Sequence, residues 1–164
     1  AEVVDFDVGT LVPQIAIPPR PDRVVPVSDV AGTQIQQAFI GTCAGGMMED
    51  LRAAAEVLRG KRVAAGVRAF IAPSTQGIHT QAAREGLLTI FAEAGVLVLP
   101  AGCSACAGNI APLAAGERAM TTGTRNEPGR MGSMEAEIYI GNAITVAASA
   151  VAGHIVDPAD LATV

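Results

Sequence analysis

From position 36 onward, short apolar runs alternate with stretches in which apolar side chains recur every three or four positions. The first kind suits strands covered on both faces and the second marks one face of a helix, so their alternation predicts βα units built around a parallel sheet. The first run, 38–40, reads as a buried strand, and Met48, Leu51, Ala54, Ala55 and Leu58 then keep helical spacing until Gly60. A second unit has a strand over 67–72 and helical spacing over 77–94, with Ala83, Leu87, Leu88 and Phe91 facing inward and Gly95 closing it. Gly86 is placed to bend or divide that helix. A third strand, 96–99, leads into a loop bearing glycine and cysteine and then a short helix near 107–114, which Pro112 interrupts. Strands over 118–122 and 137–140, a polar loop up to 133 between them, and a helix over 143–152 complete the pattern. The segment before position 36 is different. Its prolines at 13, 18, 19, 21 and 26 exclude long helices, and its apolar stretches at 11–12, 15–17 and 24–27 read as short strands. The expectation is a single domain in which an extended proline-rich arm, 1–35, lies over an α/β core, 36–164.

Composition narrows the function. Half of the 164 residues are hydrophobic and 16% are charged, which suits a packed globular unit with a sizeable core. The net charge of −5 argues against a nucleic-acid partner or an anionic membrane, both of which need clustered Lys and Arg. One tyrosine, four phenylalanines and no tryptophan leave little with which to stack single-stranded bases. No apolar run approaches the roughly 18–20 residues of a membrane span. The N-terminal segment also lacks the basic and apolar regions of a signal peptide, so a cytoplasmic location is expected. The chain begins at Ala1 rather than Met, and is expected to have been processed, trimmed or cut from something longer.

Cys43, Cys103 and Cys106 form an odd set that reads as reduced thiols rather than a disulfide framework. Each follows the end of an expected parallel strand, the edge at which open α/β sheets bind ligands. Thiolates grouped there suit a soft metal or an iron-sulfur cluster. On spacing alone, Cys103-Ser104-Ala105-Cys106 fits a redox pair, half of a structural zinc site or plain buried thiols equally well. Its place late in the chain counts against a redox pair, which normally opens a long helix near the start of its unit.

The wider context adds to this. The runs Ile40-Gly41-Thr42-Cys43, Glu49-Asp50-Leu51-Arg52, Gly102-Cys103-Ser104-Ala105-Cys106-Ala107-Gly108 and Arg125-Asn126-Glu127-Pro128-Gly129-Arg130-Met131-Gly132 together resemble the aconitase family, in particular its dehydratase branch. Glu85-Gly86-Leu87, Gly116-Glu117, Thr145-Val146-Ala147-Ala148 and the stretch 153–156 match in the same order, so the resemblance covers nearly the whole chain beyond the arm. It implies an α/β, three-layer domain with a parallel sheet that bears a cluster. It further implies that Cys43, Cys103 and Cys106 hold a [4Fe-4S] cluster with one iron left free of thiolate. Arg125 and Arg130 match the family's arginine pair, whose planar guanidinium groups suit bidentate capture of substrate carboxylates.

The sequence departs from the family pattern at several points. The family's Thr-Asn after the first cysteine is Ala44-Gly45 here, an arginine often found soon after is Met47, and Asn-Arg-Asn-Phe becomes Thr124-Arg125-Asn126-Glu127. Elimination of water also needs a base within reach of the proton, and no residue here is convincing. His79 on a helix reads as a surface or interfacial residue, and His154 past the last helix as a capping or packing residue. The expected function is therefore the cluster-bearing part of an aconitase-like hydro-lyase or isomerase, binding a small hydroxy di- or tricarboxylate and completed by other aconitase-like domains or a small subunit. Two other functions remain: a noncatalytic cluster-binding or scaffold module that keeps the fold, and a zinc or redox protein using Cys103 and Cys106.

Overall fold

In the computed structural model, which describes residues 3–5 and 7–163, the proline-rich segment folds into two short strands, β1 (Gln14–Ala16) and β2 (Val24–Pro26). They pair antiparallel with Ile15 opposite Val25. The core follows as β3 (Gln37–Gly41), α1 (Thr42–Gly45), α2 (Met48–Leu58), β4 (Arg68–Ala72), α3 (Gln76–Arg84), α4 (Leu87–Ala94), β5 (Leu97–Val98), β6 (Arg118–Thr121), β7 (Glu137–Ile140) and α5 (Ala143–Ala152). Positions 1, 2, 6 and 164 of the expected arm and core lie outside the described residues. Among those described, no helix is long and apolar enough to cross a membrane.

The strands form one sheet in the order β2-β1-β7-β6-β3-β4-β5. The core strands are parallel to one another, as the βα alternation requires. The arm lengthens the sheet through an antiparallel bridge from Ala16 to Ile140, and its Ile15, Val27 and Ile35 are buried in the core. Ile15, fully buried between two more exposed neighbours, gives β1 the alternation that fixes it at the sheet.

Alternation divides the sheet into two faces. Ala38, Ile40, Ala69, Ile71, Met120 and Tyr139 point to one side and meet Leu51, Ala54 and Leu58 of α2, Leu87 and Phe91 of α4, and Val146 and Ala150 of α5. Burying a side chain such as Leu51 there stabilises the fold by about 1.5–3 kcal/mol. Phe39, Phe70, Ala72, Ala119 and Ile138 point to the other side and pack on Ala105, Cys106, Leu113, Met131 and Ala136. That second face is thus covered by loops and a 3-10 turn (Ser104–Ala107), so the third layer of the domain is largely irregular.

Two sequence expectations change in this picture. The helix near 107–114 does not form: the 3-10 turn ends at Gly108, Ala111 has φ 53°, and Pro112 has no N–H to continue a helical ladder. The helix over 77–94 divides at Gly86 as expected, where φ of 76° lies in the left-handed region, but its inward-facing alanine changes. That break resets the helical phase, so Ala82 rather than Ala83 faces the core, while Leu87 and Phe91 are buried as expected.

Candidate functional site

The carboxyl ends of β3, β4 and β6 lie side by side, and the cysteine-bearing loops meet there. The chain leaves β3 through Thr42, with φ 73°, into the single turn α1 that carries Cys43 exposed. The Gly46 N–H donates to the Thr42 carbonyl at 3.0 Å, and the Gly46 carbonyl accepts from the Ser74 N–H at 2.9 Å, which ties the turn to the loop after β4. From the other neighbour, the Thr122 hydroxyl accepts from the Gly41 N–H at 2.9 Å and donates to the Gly41 carbonyl at 3.0 Å. Gly45 makes this closeness feasible. A Cβ at position 45 would lie 2.3 Å from both Cβ and Oγ1 of Thr122, so the glycine in place of the family's asparagine is a steric match to Thr122.

The loop after β5 is drawn back across the end of β4 by two bonds, Leu99 N–H to the Ile71 carbonyl at 2.7 Å and Gly102 N–H to the Pro73 carbonyl at 3.0 Å. It then makes the 3-10 turn, in which the Cys106 N–H donates to the Cys103 carbonyl at 2.9 Å and which packs against β3. Cys103 is exposed at the start of this turn and Cys106 is buried within it. The Cys106 sulfur comes within 3.7 Å of where a side chain on Gly123, just past β6, would begin.

The loop from 122 to 136 brings in the arginines. Arg130 Nη2 donates to Cys106 Sγ at 3.3 Å. That bond raises the guanidinium's pKa, and the charges of Cys106, Glu127 and Cys103 add to the effect, against the opposing cost of burial. Arg125 is exposed. Between the two, Asn126 is 1% exposed, and neither its amide oxygen nor its amide nitrogen has a hydrogen-bond partner among the described residues. Arg130 Nε is buried and unpartnered as well. A buried polar group left unmatched costs about 1–3 kcal/mol. A short loop with three such atoms beside a cysteine sulfur therefore suits a polar or charged group supplied from outside the chain. Asn126 and Pro128 also border a cleft of about 240 Å³ against the Pro18–Pro19 turn and Glu137.

The structure thus gathers Cys103, Cys106 and Arg130 into one contact group and sets Cys43 on the adjoining turn of the same edge. Among the described residues, no three His, Cys, Asp or Glu side chains converge closely enough for a single metal ion. A multi-iron cluster is held differently, each thiolate on its own iron, and the three cysteines are free thiols, the donor type such a cluster takes. His79 is half-buried on α3, and His154 forms a bridge with Gln34 beyond the far end of α5. Thr122 and Asn126 carried no functional assignment in the sequence. A threonine ending a strand and an asparagine among glycines and prolines look like ordinary turn residues, and only tertiary packing buries them.

These features can be set beside known proteins. The profile of the Aconitase family (aconitate hydratase) matches residues 28–153. The 3-isopropylmalate dehydratase large subunit of Oleidesulfovibrio alaskensis is 52% identical over 159 residues, covering 96% of this chain and 38% of that protein. Large subunit 2 of the same enzyme from Rubrobacter xylanophilus is 49% identical over 159 residues, with the same 96% and 38% coverage. Large subunit 1 from Methanopyrus kandleri is 46% identical over 154 residues, 93% of this chain and 37% of that protein. The chain spans less than two fifths of the length of these relatives. The matched region takes in β3 to α5, all three cysteines and both loop arginines, and on that basis the chain belongs to the aconitase family.

Proposed function

We propose that this chain is the cluster-bearing part of a hydro-lyase or isomerase that binds a small hydroxy di- or tricarboxylate. The observation that carries the reading is the contact group of Cys103, Cys106 and Arg130 on the sheet edge that also presents Cys43. Cys43, Cys103 and Cys106 would hold a [4Fe-4S] cluster, which when bound supplies a Lewis-acidic iron that makes a substrate hydroxyl a better leaving group.

The chain's own groups serve binding and orientation. Arg125, exposed at the rim, offers a planar fork of donors to a substrate carboxylate. Arg130, half-buried at the cysteine sulfur, places a fixed positive charge where substrate oxygens would gather. Thr122 locks the turn of Cys43 onto the end of β6, so that two parts of the edge move together. The base that removes the carbon-bound proton is assigned to another domain or a small subunit, because elimination needs one within hydrogen-bond reach. A cytoplasmic setting suits thiols that must stay reduced.

A noncatalytic module with the same fold is the second reading, favoured by the departures at Gly45, Met47, Thr124 and Glu127. Assays of water loss from hydroxy di- and tricarboxylates, followed by the absorbance of the unsaturated acid, separate the two. The cluster-loaded chain alone is expected to bind such acids in an Arg125-dependent way without turnover, and to turn them over once the missing domains or a small subunit are added. Turnover by the chain alone would refute the dependence on a partner. Absence of Arg125-dependent binding would leave the noncatalytic module.

A further inference from the structure

The two loop arginines share one expected role, yet their surroundings differ. Arg125 is exposed, as a group that meets a diffusing carboxylate should be. Arg130 is half-buried, with Nη2 already committed to Cys106 Sγ at 3.3 Å and Nε buried behind it. Packing fixes this arrangement. Met131, next in the chain and 1% exposed, sits in the same apolar cluster as Cys106 and Leu113, and the Leu113 N–H donates to the Met131 carbonyl at 2.8 Å. The Arg130 N–H itself donates to the Glu127 carbonyl at 3.1 Å, closing a turn that aims the side chain back at the cysteine loop.

A cationic donor on a thiolate sulfur stabilises the more negative form of whatever that sulfur ligates, and hydrogen bonds to sulfur are among the factors that set cluster potentials. We infer that Arg130 is a positioning residue that acts through Cys106, holding the charge on its sulfur and raising the reduction potential of the ligated group, while Arg125 takes the substrate carboxylate. This rests on the proposed cluster reading.

The test is potentiometric titration of anaerobically reconstituted protein, comparing wild type with Arg130→Gln, Arg130→Lys and Arg125→Gln. Arg130→Gln is expected to shift the reduction equilibrium about tenfold toward the oxidised form, about 59 mV lower for one electron. Arg130→Lys, which keeps the charge and loses the planar fork, should recover part of that shift. Arg125→Gln should leave the potential in place and abolish carboxylate binding. If Arg130→Gln folds and retains no cluster, the lysine variant decides: a potential below wild type supports the role, and an unchanged one overturns it. Equal shifts from Arg125→Gln and Arg130→Gln would also overturn it. Failure of the wild type to take up iron and sulfide would instead sink the cluster reading itself, so the two failures are told apart.

Discussion

Gly45→Ala places one methyl group where the structure has no room for it. The new Cβ would lie 2.3 Å from Cβ and Oγ1 of Thr122, well inside van der Waals contact, and because Cβ is fixed to the backbone the turn or the end of β6 must shift. Thr122 is 6% exposed, and its hydroxyl makes both of the bonds that hold Gly41, at 2.9 and 3.0 Å. Overpacking of this kind costs about 1–3 kcal/mol. Each displaced hydrogen bond adds about 0.5–1.5 kcal/mol, and more where a buried partner stays unmatched. Alanine's helical advantage over glycine, about 1 kcal/mol, works in the opposite direction. The net expectation is a loss of about 2–4 kcal/mol in urea unfolding followed by circular dichroism. A loss below about 0.5 kcal/mol would refute the steric argument. A double-mutant cycle sharpens it: Thr122→Gly removes both clashing atoms, so the pair Gly45→Ala/Thr122→Gly should be less destabilised than the sum of its parts, with coupling of about 0.5–3 kcal/mol.

Three further outcomes are expected. Hydrogen bonds from Arg52 and then Gln81 hold the Glu85 carboxyl down to about 2. Its folded pKa thus lies below the unfolded value of about 4.3, so its contribution is present above that value and lost as pH falls through about 2. Glu85→Gln should flatten the fall in stability across that window, seen in urea midpoints at a series of pH values, and an unaltered acid limb would count against the pair. Asn142 caps α5 by accepting from the Thr145 N–H at 2.9 Å, so Asn142→Ala should cost about 0.5–2 kcal/mol by the same unfolding measurement. Phe91→Ala, at a fully buried position under the sheet, should cost about 3–5 kcal/mol and lower the thermal midpoint accordingly.

The βα core was legible because its signals are local. The helical spacing of Met48, Leu51, Ala54, Ala55 and Leu58 matches the buried face of α2 residue for residue, and the strand runs match β3, β4, β6 and β7 to within a residue or so. Errors arose where backbone conformation, not hydrophobicity, decides. Gly86 restarted the helical phase and moved the inward alanine by one position, and the alanine-rich stretch after Cys106 looked helical although Gly108, Ala111 and Pro112 bend it away. The arm's strands were visible, but their place at the sheet edge depends on one long-range bridge between Ala16 and Ile140. At the candidate site, sequence supplied the cysteines and arginines through their order along the chain. It could not show that Arg130 rests on Cys106, that Thr122 clasps Gly41, or that Asn126 is buried with its amide unmatched, because each depends on loops from separate strands meeting at one edge.

The central claim is that Cys43, Cys103 and Cys106 together hold one cluster. It is tested most directly by anaerobic reconstitution with iron and sulfide, iron and sulfide counting, and electron paramagnetic resonance on wild type and Cys103→Ala, with circular dichroism to confirm that both fold. The account predicts about four irons and four sulfides per wild-type chain, as a [4Fe-4S] cluster requires, and their loss in the variant. A wild-type chain that stays free of iron and sulfide under conditions in which another aconitase-family protein loads its cluster would contradict it.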